Sequence, residues 1–155
     1  MCNDRLALVV LREYPYPTNG GDKLSAHGYI KSLIDTGHIV DLITFDAFRP
    51  QHIDSAFRRV LFLDKPRKFS ARKIFDWIFN KKSYMFSRFQ DSKNASCLLQ
   101  FLDGYQYSKI LISHSYMSGV LPESYISDHM DSTYIITEVM ETFALSAFTK
   151  RQSQS

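Results

Sequence analysis

The chain has 155 residues, 45% of them hydrophobic and 23% charged, which suits one domain with its own core, excludes global disorder and is too short for two complete nucleotide-binding domains. Its formal net charge of +3 is too small an excess to imply a nucleic-acid partner. The two cysteines, Cys2 and Cys97, belong to no CxxC pair or Cys/His array, so neither a disulfide framework nor a metal site is expected and a reducing compartment fits.

No stretch reaches the roughly 18 consecutive apolar residues that span a bilayer. The apolar run Leu6 to Leu11 has the length of a strand rather than of a signal-peptide core, so the expected location is the cytoplasm. Continuous apolar runs of this kind predict a strand covered on both faces. A turn-rich loop follows, Glu13-Tyr-Pro-Tyr-Pro-Thr-Asn-Gly-Gly21, and then a helix over Asp22 to Thr36. Asp22 is its expected N-cap, Gly37 its stop, and Leu24, His27, Ile30 and Ile34 its inward face. His38 to Phe45 reads as the second strand, which completes a βαβ unit.

Val60 to Leu63 predicts a third strand. Pro66 to Phe89 reads as one or two amphipathic helices, Asn94 to Phe101 as another, Lys109 to Ser113 and Tyr134 to Thr137 as strands, and Met140 to Lys150 as a helix. The alternation predicts an α/β fold: a Rossmann-like open, mainly parallel sheet with helices on both faces. Residues 1–150 form the single expected domain and residues 151–155 a polar tail. In such sheets ligands bind beyond the carboxyl ends of the strands, which directs attention to residues 13–23, 113–119 and 137–142.

In the first of these segments, Asn19-Gly20-Gly21 lies between strand and helix, with Lys23 just inside the helix. Two glycines permit a sharp turn and a close approach to a ligand, and a helix amino terminus favours phosphate or sugar hydroxyls. The alternative is a tight turn with no ligand. No GxGxxG fingerprint or P-loop occurs, which disfavours a nicotinamide dehydrogenase or a P-loop NTPase. His38, between a helix stop and a strand, suits capping or packing.

His114 ends a predicted strand, where an imidazole can exchange a proton or simply hydrogen-bond within the fold. Ser115 and Tyr116 follow it as candidate substrate contacts. Glu138 and Glu141, three residues apart, suit an acid–base pair or solvated charges at a helix start. Between Phe57 and Phe89, basic and aromatic residues interleave, among them Arg58, Arg59, Arg72, Lys73, Trp77, Lys81 and Lys82. This stretch reads either as an ordinary amphipathic helix pair with its aromatics in the core, or as a membrane-surface patch; no nucleic-acid motif accompanies the charge.

The order of these features resembles the first half of a family-four glycosyltransferase. Tyr14-Pro-Tyr-Pro-Thr-Asn-Gly-Gly-Asp-Lys23, a helix, and Gly37-His-Ile-Val leading into the second strand match the opening of those enzymes. The strand ending at His114, and Glu141 in the place of a glutamate that follows a later strand, continue the match. The resemblance implies the acceptor-side half of a GT-B fold, contributing to retaining transfer from a nucleotide sugar. It implies His114 and Glu141 in catalysis, with Asn19, Gly20, Gly21, Lys23, Ser115, Tyr116 and Glu138 binding substrate.

It further implies a sugar or lipid-linked acceptor, no metal and no cofactor. The nucleotide-sugar donor would be held mainly by a donor-binding domain that acts in trans or is lost, so the isolated chain is expected to be inactive. Arg72, Lys73, Trp77, Lys81 and Lys82 would face the acceptor or the inner membrane surface. The match departs at Ser25, where relatives often have arginine, at Ser113-His114, which replaces His-x-His, and at Glu138 and Val139, which replace histidine and asparagine. These departures favour the alternative of a non-catalytic protein- or membrane-interaction module of the same fold.

Overall fold

A computed structural model describes residues 5–45, 49–65, 71–80 and 92–136. In chain order its elements are β1 (Leu6–Leu11), α1 (Gly21–Asp35), β2 (Ile39–Thr44), β3 (Phe57–Phe62), α2 (Ala71–Asn80), α3 (Ser92–Leu102) and β4 (Lys109–Ser113). A 3-10 turn over Ser115–Val120, α4 (Glu123–Asp128), a second 3-10 turn over Met130–Ser132 and β5 (Thr133–Ile136) complete the set.

Every residue of β1 is buried. Successive strand side chains point to opposite faces, so such a strand must be covered on both sides. Ala7, Val9 and Leu11 pack against Ala26, Ile30 and Leu33 of α1. Leu6, Leu8 and Val10 share a second cluster with Leu98 and Leu102 of α3 and with Met117, Val120 and Leu121. The five strands pair in parallel in the order β3-β2-β1-β4-β5. The chain is therefore an open α/β sheet of Rossmann-like order with helices on both faces.

The inward face of α1 differs from the sequence expectation. Leu24 and Ile34 are 61% and 39% exposed, and the buried stripe is Ala26, Ile30 and Leu33. These positions also lie at helical spacing, and the small Ala26 side chain lets the first turns lie close to β1. Asp22 is not the N-cap: Gly20 holds that position in an extended conformation and gives no side-chain cap, while Asp22 sits in the first turn. The stop at Gly37 does form. Gly37 takes φ +83, its N–H bonds Ile34 O at 2.8 Å, and His38 N–H bonds Leu33 O at 2.9 Å. The His38 ring adds to this cap, with Nδ1 at 3.0 Å from Thr36 Oγ1 and 3.2 Å from Leu33 O.

β3 begins at Phe57, earlier than the apolar run alone suggests, because Arg58 and Arg59 are strand residues with a buried partner. Asp41 of β2 has no exposed surface. Arg58 donates to its carboxylate at 2.9 and 2.6 Å, Arg59 at 3.0 and 2.8 Å, and the Tyr107 hydroxyl at 2.7 Å. Arg59 also donates to Phe101 O at 3.0 Å and lies over the Tyr105 ring at 3.8 Å. Both arginines, read from sequence as members of a basic surface stretch, are instead held against the body of the fold. Among the described residues no helix is long and apolar enough to cross a membrane.

Candidate functional site at the carboxyl edge of β1 and β4

The order β3-β2-β1-β4-β5 reverses direction at β1: the chain passes from β1 outward to β2 and β3, then returns to β4 on the other side. In open α/β sheets the crevice outside the carboxyl ends of the strands at such a reversal is where ligands bind. A recess of about 100 Å³ lies there. Leu11 and Ala26 give it apolar walls, Ser113 and His114 come from the end of β4, and Arg12, Glu13, Asp22 and Lys23 bring charge of both signs. Sites that enclose a whole small molecule measure about 300–1,000 Å³, so this recess has room for one edge of such a molecule and not for the whole of it. The Arg12–Glu13 pair stands at 3.7 Å with side chains 58% and 43% exposed, and such pairs contribute little to stability.

His114 is the one non-glycine among the described residues with a positive φ, at φ 70 and ψ 135. Its side chain is buried, and its carbonyl accepts the Met117 N–H at 3.1 Å, which starts the 3-10 turn. For a residue with a Cβ this backbone conformation costs about 1–3 kcal/mol, and it persists where the surroundings over-determine it. Here the β4 ladder on one side and the turn on the other impose it. Strain of this kind collects at binding and catalytic positions.

The first hydrogen bond of α1 runs from Leu24 N–H to Gly20 O at 2.9 Å. The N–H groups of Gly21, Asp22 and Lys23 therefore have no acceptor within the helix, and Gly20 supplies no side-chain cap. The two glycines do not make a sharp turn. Gly20 is extended at φ −158, and a Cβ on either would meet nothing within 4 Å. The fold itself thus has no need of glycine at these positions.

The loop ahead of α1 is pinned by its tyrosines. The Tyr14 ring meets Tyr16, Phe57 and Phe62 with centroids 5.8–6.0 Å apart, and its hydroxyl accepts the Asp54 N–H at 2.9 Å. Burial pushes the Tyr14 hydroxyl pKa above its usual value. The Tyr16 hydroxyl lies 3.1 Å from His27 Nδ1 of α1. These contacts tie the Pro-rich segment to β3 and α1 and fix the approach to the recess.

Of the residues singled out from sequence, Lys23 and His114 line this recess together. Asn19, Gly20 and Gly21 stand exposed at the entry to α1, outside the lining. Ser115 and Tyr116 open the 3-10 turn, but their side chains lie outside the described residues, as do Glu138, Glu141, Lys81 and Lys82 entirely. Arg72 is exposed on α2, which also carries Lys73 and Trp77. Glu13, Asp22 and Ser113 fall within the segments to which the strand-end rule pointed, although none was named as a site residue, and Arg12 lies one residue outside them. The reading that buries the aromatics of the basic stretch is corrected at α2, where Phe75 and Phe79 are 61% and 65% exposed with ring centroids 4.2 Å apart.

Among the described residues no group of three or more His, Cys, Asp or Glu side chains is placed to hold a metal ion. Comparison with protein-family models, with curated proteins and with solved structures gives no match for this chain.

Proposed function

We propose that the chain is the acceptor-side half of a retaining GT-B-type glycosyltransferase, acting with a donor-binding domain in the same or another chain. The observation that supports this most is that Lys23 and the strained His114 both line the recess at the crevice where the sheet order reverses. In this reading the recess holds one edge of a sugar acceptor. Lys23 and the free N–H groups of α1 take a hydroxyl or an anionic group, and the His114 imidazole contacts the reacting hydroxyl. A one-sided recess suits an enzyme whose second wall is another domain. Stabilising the departing diphosphate is a large part of such catalysis. That task falls to the donor side, so the 155-residue chain alone transfers no sugar.

Amide-resolved NMR titration with monosaccharides, hexose phosphates and nucleotide sugars tests the reading. Weak, saturable shifts centred on Lys23 and His114 are expected from sugar acceptors and are lost in a folded His114→Ala variant. Shifts confined to other parts of the sheet, or none with any probe, reject it. The exposed Phe75, Ile78 and Phe79 on α2 favour a second reading, a non-catalytic interaction module that leaves the recess unused.

A further inference from the structure

An open groove lies between the last turn of α3 and α4. Its volume is about 580 Å³, within the range of about 300–1,000 Å³ found for small-molecule sites. Leu99, Leu102, Pro122 and Tyr125 give it apolar walls, and Asp103 and Asp128 bring a carboxylate each. None of these residues lines the recess.

The two carboxylates stand where the helices themselves disfavour them. Asp103 directly follows α3, and Asp128 is the last residue of α4. The carboxyl end of a helix carries a partial negative charge and favours cations. Neither helix has a basic residue in its last turn. Asp103 and Asp128 are both exposed, and neither has an ion-pair partner among the described residues. Charge of one sign is thus gathered at an apolar groove with nothing on the described surface to balance it.

Tyr125 adds a second unmet demand. Its hydroxyl is shut off from solvent and has no hydrogen-bond partner, whereas buried hydroxyls are as a rule paired. Burial pushes its pKa up to about 12, so the group stays neutral and can both donate and accept. The ring is stacked on His129 with centroids 4.3 Å apart. A turn of the ring toward the groove breaks no hydrogen bond of its hydroxyl and lets an occupant supply one.

We propose that this groove binds a small organic cation, an amine or guanidine carried on an apolar body, with Asp103 and Asp128 taking the charge and the Tyr125 hydroxyl bonding the occupant. Among the described residues no third metal-binding side chain joins the two carboxylates, and a bare metal ion makes no use of the apolar walls. The groove shares no residue with the recess, so the inference stands apart from the glycosyl-transfer reading.

Amide-resolved NMR titration of the 155-residue chain with 2-phenylethylamine, 2-phenylethanol and phenylacetate tests it, because the three differ chiefly in charge. The amine should give saturable shifts at residues 99–104 and 122–128. The alcohol should bind about tenfold more weakly, and phenylacetate should leave these amides unmoved. The double variant Asp103→Asn/Asp128→Asn should lose about tenfold in affinity for the amine while melting at or above the parent's temperature, since it relieves both helix ends. Tyr125→Phe should bind the amine about threefold or more weakly and melt no lower than the parent, because it deletes only an unpaired hydroxyl. Absence of saturable shifts at these residues with the amine overturns the inference, as does equal binding of the alcohol or equal binding by either variant. Magnesium ions that move the same amides at the same concentration as the amine overturn it in favour of general charge screening.

Discussion

Arg59 grips Asp41 across the β2–β3 pair, its Nε and Nη2 donating to the same carboxylate oxygen at 3.0 and 2.8 Å. Arg58 and Tyr107 complete the set, so a carboxylate with no exposed surface is paired from three side chains. The pairing joins an edge of the sheet to the segment between α3 and β4. Removing one member of a buried charge network leaves the others desolvated without compensation. Asp41→Asn is therefore expected to lower unfolding stability by about 2–4 kcal/mol, measured by urea titration.

The same network sets an acid dependence. Burial acts to raise the Asp41 pKa, but hydrogen bonds from Arg58, Arg59 and Tyr107 outweigh it and hold the carboxyl below its usual value. A depressed folded pKa contributes stability that is complete above the unfolded value, about 4, and is lost as pH falls through the folded one. Thermal melts should show the parent losing stability below about pH 4, with a flatter profile there for Asp41→Asn. Equal acid slopes in the two proteins would contradict the assignment.

The central strands were legible because their signal is local. Leu6 to Leu11 and Lys109 to Ser113 carry apolar runs that only a strand covered on both faces would need, and the structure gives both with those bounds. The Asp41 network was not legible. Asp41 sits inside an apolar run, its arginines are 17 and 18 residues away, and Tyr107 is 66 residues away. No periodicity links positions that only the sheet brings together. The face of α1 was misread because apolar residues surround that helix: Leu24 and Ile34 compete with Ala26 and Leu33, and packing against β1 decides between them. At the recess, the strand-end rule reached His114 and Lys23, but the strain at His114 is a property of the folded backbone alone.

Tyr14 ties the loop beside the recess to the residues that precede β3. Tyr14→Phe keeps the ring contacts with Phe57 and Phe62 but removes the acceptor for the Asp54 N–H. A loss of about 1 kcal/mol is expected in equilibrium unfolding, with amide shift changes concentrated at residues 14–16 and 53–56.

Three glycines separate backbone need from ligand access. Gly37 has φ +83, whereas Gly20 is extended and a Cβ on Gly20 or Gly21 meets open space. Gly37→Ala should cost about 1–2 kcal/mol from the left-handed backbone alone. Gly20→Ala and Gly21→Ala should change stability by no more than about 0.5 kcal/mol, and Gly21→Ala can raise it, since alanine is the better helix residue. If the helix entry accepts a ligand at close range, these two variants lose the sugar-induced shifts at Lys23 while melting like the parent. Retention of the shifts in both would show that the glycines are spectators.

The strain at His114 makes a prediction that runs against the ordinary order of substitutions. At a regular position glycine is less stabilising than alanine by about 0.5–1 kcal/mol, because it loses more backbone freedom on folding. At φ 70 and ψ 135 the Cβ of alanine retains the steric cost that histidine bears, and glycine removes it. His114→Gly should therefore be more stable than His114→Ala by about 1 kcal/mol, measured by denaturant unfolding of both variants. Both lack the imidazole, so whatever it contributes cancels in the comparison and the difference reports the backbone. The reverse order would mean that His114 rests in an ordinary conformation, and that its place at the crevice involves no stored strain. The predicted order, combined with loss of sugar-induced shifts in both variants, would identify a position where stability is given up to hold an imidazole at the reversal of the sheet.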